Sequence, residues 1–170
     1  MNRPPRNKTK VFGPEYMSHR LQVEGLVLKP LSLTVDDLRQ FPLSEPVDLA
    51  LICGSGRNDG VQSGYRGVRL TDLIEHADPI MRYHDSPNYM FVTLISTDLH
   101  WALFSFQELF NSTVGECAII AIEKGGRPLD EKEGEIAFFS ANDKAPGPRR
   151  LRYLKRIVLH EHTLSAEESA

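Results

Sequence analysis

The order of apolar and polar residues predicts a mixed α+β fold in which short strands outnumber short capped helices. Three observations carry that expectation. Alternation with a period of two recurs in brief runs rather than in one long sheet-forming stretch. Helical signals are confined to short segments, most of them opened by Thr or Ser. The two kinds of element also follow one another without the regular strand–helix–strand order of a doubly wound parallel sheet, and no internal repeat is present.

Residues 19–28 (HRLQVEGLVL) place Leu21 and Val23 on one face of a strand and bend at Gly25 before Leu26 and Leu28. Pro30 and Leu31 then lead to Thr34, an N-cap, with Asp37 at the third helical position and Val35, Leu38 and Phe41 on one side; Pro42 ends the helix. Residues 47–53 (VDLALIC) form a nearly continuous apolar run, expected as a buried strand. Residues 54–60 (GSGRNDG) are a loop by composition. A second helix is expected in 68–77, capped by Thr71, with Leu70, Leu73, Ile74 and Ala77 facing inward.

In the second half, 89–95 and 100–104 read as paired strands around a turn at 96–99. Ser105 and Glu108 have the spacing of a capping box for a helix over 106–110. Residues 117–122 (CAIIAI) form a buried strand and 124–127 a turn. A strand over 136–140 and an alternating strand after Arg156 complete the order. The expected organisation is one domain over 19–162, between an extended tail at 1–18 and another at 163–170.

With 170 residues, 41% hydrophobic and 25% charged, the chain has the composition of a soluble globular domain able to bury a core. No apolar run approaches the roughly 20 residues of a membrane-spanning helix. The basic start, Met1 to Lys10, lacks the apolar segment of a secretory signal. The chain as written therefore reads as cytoplasmic, or as periplasmic if a signal has been removed. A net charge of −3 argues against nucleic acid as a partner. That charge is unevenly spread: Lys144, Arg149, Arg150, Arg152, Lys155 and Arg156 lie together with no acidic residue among them, a pattern suited to a small anion.

Two segments have the residue types for chemistry. Cys53 lies where an apolar strand meets a glycine-rich loop. A thiolate there is a nucleophile or a soft metal ligand, whereas a buried cysteine is simply core. The loop fails the dinucleotide-binding fingerprint because its third glycine comes one position late, and it lacks the Gly-Lys-Ser/Thr ending of a phosphate loop. The second segment is 147–155 (GPRRLRYLK), in which Arg149, Arg150 and Arg152 surround Leu151. Their planar guanidiniums suit phosphate or carboxylate, and the alternative is a solvated basic turn. His160 and His162 share one strand face and are expected to be solvated rather than to bind a metal.

Taken in order, these segments resemble the oxidoreductase molybdopterin-binding domain, the sulfite oxidase fold family. The resemblance runs from about Leu21 to Leu159. It rests on the opening strand and helix (VEGLV through PLSLTVDDL), the strand ending in Cys53, and YRGVRLTDLI at 65–74. GRPL at 126–129 with Glu133-Gly134, and Gly147 through Leu154, complete it. In that family the cysteine binds molybdenum beside the two sulfurs of the pterin dithiolene. The resemblance thus implies a molybdopterin cofactor, with Cys53 as metal ligand and catalytic residue; no haem is expected, because the sequence shows no haem domain. Arg57, four places beyond the cysteine, is implied to face a small anionic or S-oxide-like substrate. Gly147, Arg149, Arg150 and Arg152 are implied to hold the pterin and its phosphate.

Departures accompany the match. Arg stands for the family's His at 150 and for its Lys at 152, and Tyr153 stands for its Trp. Glu133-Gly134 stands for the usual His-Gly, and an upstream segment bearing His and Asn is absent from the sequence. The leading expectation is oxygen-atom or electron transfer at the metal, with an electron-transfer protein as partner. The alternatives are a non-catalytic pterin-binding or accessory module that has lost redox activity, and an interaction domain in which Cys53 is core.

Overall fold

The computed structural model describes residues 13–52 and 55–163. Two five-stranded sheets pack together. The first has the order β2 (Leu31–Leu33), β1 (Leu21–Gly25), β10 (Leu154–Glu161), β5 (Met90–Ser96), β6 (Trp101–Ser105). Only the β1–β10 pair in it is parallel. The second has the order β3 (Val47–Ile52), β4 (Asn58–Arg69), β7 (Ala118–Lys124), β8 (Arg127–Pro128), with β9 (Ala137–Ser140) also paired to β7. All its pairs are antiparallel. Helices α1 (Val35–Leu38), α2 (Leu70–Ala77) and α3 (Phe106–Phe110) are short. The α+β class is therefore the observed one.

The alternation of side chains explains the layering. Leu21, Val23, Val92, Leu94, Phe104, Ile157 and Leu159 leave the first sheet on one face and meet α2 together with Val68, Ile120, Ile122 and Phe138 of the second. The opposite face of the second sheet carries Leu49, Tyr65, Ile119, Ala121, Ala137 and Phe139, which form a separate cluster with Leu129. Strand β7 is thus buried on both sides, which is why its sequence reads AIIAI without alternation.

Several expectations change. The run at 47–52 is an edge strand in which only Leu49 is fully buried, because its apolar residues cover one face of a two-stranded ribbon. Residues 58–60, expected in a loop, begin β4, the twelve-residue partner of β3. Glycine and polar residues hid it: the half that extends past β7 is solvent-exposed and needs no apolar pattern. Thr71 does not cap α2. The helix starts at Leu70, with Arg69 at the N-cap and no side-chain cap bond.

Other capping signals were met in full or in half. Thr34 Oγ1 accepts from the Asp37 amide at 3.2 Å, and Asp37 accepts from the Thr34 amide at 2.8 Å. Ser105 caps α3 through the Glu108 amide, but the Glu108 carboxylate goes to Arg149 instead of closing the box. The turn between β5 and β6 places Leu99 at φ 65°. Within the stretch assigned to the first tail, Pro14–Tyr16 forms a 3-10 turn whose Tyr16 ring lies 6.0 Å from that of Tyr153. Residues 1–12 and 164–170 lie outside the described residues.

Candidate functional site

Strand β3 ends at Ile52, one residue before Cys53. Cys53 and Gly54 lie outside the described residues, while β3 itself lies against the 3-10 turn Gly147–Arg149. The strand that leads to the thiol and the arginine turn are therefore neighbours in space. Arg57 stands just before β4, largely exposed, and its Nε and Nη2 donate to the Asp59 carboxylate at 2.8 and 3.1 Å.

The three arginines of the second segment have different surroundings. Arg149 Nε and Nη2 donate to the two oxygens of Asp143 at 2.7 and 2.5 Å, and Nη2 also reaches Glu108 Oε1 at 2.9 Å. Its Nη1 approaches the Leu103 carbonyl at 3.4 Å, and the guanidinium lies over the Phe104 ring at 3.9 Å. Burial works against this charge, but the bonds to Asp143 and Glu108 outweigh it and hold the pKa above its ordinary value. Arg149 thus ties the turn to the edge strand β6, to α3 and to the loop before the turn.

Arg150 faces the other way. Leu151 forms a bridge with Phe138 and belongs to the main core, and the extended Arg150 before it projects the other way, toward the outer face of the second sheet. There Arg150 Nη2 pairs with the Glu133 carboxylate, both side chains nearly sealed from water, and donates to the Tyr65 hydroxyl at 3.0 Å. The Tyr65 hydroxyl lies between that carboxylate and Gln62 Oε1, the latter at 2.6 Å. Gln62 Oε1 also accepts from Lys124 Nζ at 3.0 Å, and the ammonium sits 4.9 Å from the centre of the Tyr65 ring. Burial, followed by the bond to Glu133, raises the Tyr65 pKa far above its ordinary value.

Arg152 is half-buried. Burial lowers its pKa, and the neighbouring Arg150 charge lowers it further, against an opposing pull from Glu133. Tyr153, in the place of the family's Trp, is fully buried at φ 52°, and its hydroxyl donates to the Glu131 carbonyl at 2.9 Å. His160 Nε2 lies 2.8 Å from Thr93 Oγ1, and both His160 and His162 pack on Phe91. No group of three or more His, Cys, Asp or Glu among the described residues is arranged to hold a metal.

Sequence reasoning nominated Arg149, Arg150 and Arg152 as one anion site. It did not find Tyr65, Gln62, Glu108 or Asp143, which lie 6 to 88 positions away from the arginines they meet, nor Lys124, which meets Gln62 and Tyr65. Glu133 did carry a signal, as the substitution for the family's histidine. A groove of about 360 Å³ between α1 and the β7–β8 turn, lined by His19, Val35, Arg39, Ile122, Leu129 and Glu135 among others, contains none of these residues.

The fold defines the class: two packed sheets in which a strand leading to a cysteine lies beside an arginine-bearing turn. The chain belongs to the oxidoreductase molybdopterin-binding domain family, whose model matches residues 8–163. Among solved structures it is similar to the sulfane dehydrogenase SoxCD from Paracoccus pantotrophus, with a TM-score of 0.61 and 18% identity. That likeness covers 88% of this chain and 40% of the other, and at this identity it concerns the fold alone. No curated protein matches the chain. No helix among the described residues is long and apolar enough to cross a membrane.

Proposed function

We propose that this domain binds the molybdenum cofactor and serves oxygen-atom or electron transfer with a small anionic or S-oxide-like substrate. In this reading Cys53 supplies a thiolate ligand to the metal, the turn at 147–152 takes the phosphate end of the pterin, and Arg57 faces the substrate. The donor types fit the group: a soft thiolate for molybdenum, and planar cations for a phosphate. When bound, the cofactor supplies the redox chemistry. The chain's own residues supply ligation, orientation and positive charge. An electron-transfer protein is the implied partner.

One observation carries the reading: β3, the strand leading to Cys53, lies against the arginine turn at 147–149. The test is expression in a host that makes the cofactor, followed by measurement of molybdenum and pterin in the purified chain. Near-stoichiometric metal in the wild type, lost on Cys53→Ser, is the expected result. A metal-free and pterin-free wild type would overturn the proposal.

A second reading is a pterin-binding module without redox activity. The Arg57–Asp59 pair favours it, since the carboxylate offsets the charge that an anionic substrate would meet. Pterin retained by Cys53→Ser, without turnover in either form, would select the module.

A further inference from the structure

The first sheet turns one face to the core, and the two halves of its other face differ. Where one face of a sheet is wet, its outward positions are ordinarily polar. Strand β1 follows that rule, with Gln22 and Glu24 alternating with the buried Leu21 and Val23. Strands β5 and β6 break it. Val92, Leu94, Ala102 and Phe104 are buried, yet the alternate positions hold Phe91, Ile95, Trp101 and Leu103. The register sets Ile95 directly opposite Trp101, and Thr93 opposite both Leu103 and Val158, so these side chains form one continuous patch. Trp101 is 60% exposed and Leu103 42%. The three helices send their buried residues into the core on the inner side, so among the described residues none of them covers the patch.

Three features select what does cover it. The charged residues at outward positions, Glu24 and Arg156, bond to each other, so the apolar half lies beside a neutralised pair. A partner recognised by charge finds little to bind there, whereas an identical face meets it without repulsion. The open edge of β6 is the poorer contact, because the Arg149 guanidinium already sits 3.4 Å from the Leu103 carbonyl. Contact face to face needs no free backbone group. The outward positions of β1, β10, β5 and β6 project to roughly 400 Å², at about 4.8 Å between strands and about 6.8 Å between same-face residues. With the relief of the side chains, two such faces approach the roughly 1,000 Å² of a specific interface, at its weak, concentration-dependent end.

We propose that this chain forms a homodimer through the outer face of its first sheet, the β5–β6 half of one copy seated on the same half of a second about a two-fold axis. Trp101 is the anchor of the contact, and the polar half bearing Glu24 and Arg156 forms its rim. The contact uses no residue assigned to the cofactor, so its fate and that of the cofactor reading are separate.

Sedimentation equilibrium of the full chain, from about 1 to about 500 μM, should show the mass rising from one chain toward two, as a micromolar-range Kd requires. Trp101 is the single tryptophan of the sequence, so its emission should shift to the blue over the same range as the ring leaves water. Leu103→Lys and Ile95→Lys should each weaken association by about tenfold or more, and Trp101→Ala by about thirtyfold, the worth of an interface anchor. Leu28→Lys, at an exposed leucine outside the sheet, should leave association within about twofold of wild type. Unfolding midpoints show which variants keep the fold; should Ile95→Lys not fold, Ile95→Thr takes its place with a smaller loss of the same sign.

A chain that stays monomeric with unshifted emission across the range overturns the proposal. Association that survives the Ile95 variant but not Leu103→Lys would be edge pairing of β6, and association lost equally in Leu28→Lys would be nonspecific; either result overturns it. A monomer whose emission shifts only on vesicles of phosphatidylcholine and phosphatidylglycerol would make a lipid surface the occupant, and overturns it as well.

Discussion

Arg150 and Glu133 face each other behind the Tyr65 ring, their side chains 12% and 8% exposed. Each is a departure from the family's pattern, and the structure makes them one feature: a buried charge with its counter-charge. Removing either partner alone leaves the other desolvated and unpaired, at a cost of about 3 to 5 kcal/mol. Arg150→Met and Glu133→Leu should each destabilise the chain by that order. The double variant should recover much of the loss, since replacing both charges removes both desolvation penalties. Urea denaturation of the four proteins measures the coupling, and additive single effects would show that the two do not act as a pair.

The alkaline limb of stability should report Tyr65 and Tyr153. Burial is the main reason that both hydroxyls are held above their ordinary value of 10.0. Each folded-state pKa is raised, so the stability linked to each proton is complete below pH 10 and is lost as the pH rises further. Unfolding midpoints should therefore fall above pH 10, more steeply than in Tyr65→Phe. Ultraviolet titration of the folded chain should show these two tyrosines ionising at higher pH than free tyrosine. A limb unchanged by Tyr65→Phe would contradict the burial argument.

Local signals in the sequence were accurate where the chemistry is local. Thr34 and Asp37 found each other across one turn, and Ser105 found the Glu108 amide, because capping depends on a fixed spacing. Alternation located β1, β5, β6 and β10 because each buries only one face. Strand β4 was hidden because register with β3 and β7, not its own side chains, holds its exposed half. The arginine cluster showed its charge in the sequence but not its partners: Glu108 lies 41 positions from Arg149, and Tyr65 lies 85 from Arg150. Only the folded chain reveals that Arg149 and Arg150, neighbours in sequence, turn to different partners.

The capping box of α1 gives an acid-side prediction. The backbone and side-chain bonds of Thr34 hold the Asp37 carboxyl below its ordinary value of 3.8. A depressed carboxylate contributes stability that is present above that pH and drains away as the pH falls below it. Asp37→Asn should flatten the acid limb of the stability profile, and Thr34→Ala should flatten it as well while costing about 1 kcal/mol at neutral pH. Thermal melts between pH 2 and 7 would measure both, and an acid limb identical in all three proteins would exclude this carboxylate as a contributor.

The closest backbone approach in the second sheet yields the sharpest stability prediction. Gly67 pairs with Ala121 on β7 beside a register shift, and a Cβ there would lie 1.9 Å from the Ile120 carbonyl oxygen. That neighbour is backbone, held by the ladder on one side and by Ile120 in the main core on the other, so it cannot turn aside as a flexible side chain would. Gly67→Ala must therefore push β4 and β7 apart, at a cost of about 3 kcal/mol or more. Because β4 also carries Tyr65 and Gln62, the shift should disturb their bonds to Glu133 and Arg150 along with the fold. The contrasting site is Gly56, where among the described residues a Cβ would meet nothing within 4 Å beyond its chain neighbours and only the backbone conformation, φ 83°, resists a side chain. Gly56→Ala should be the milder substitution, and comparing the two by urea denaturation tests the assignment. Equal stability of Gly67→Ala and wild type would mean that β4 and β7 are not paired in this register.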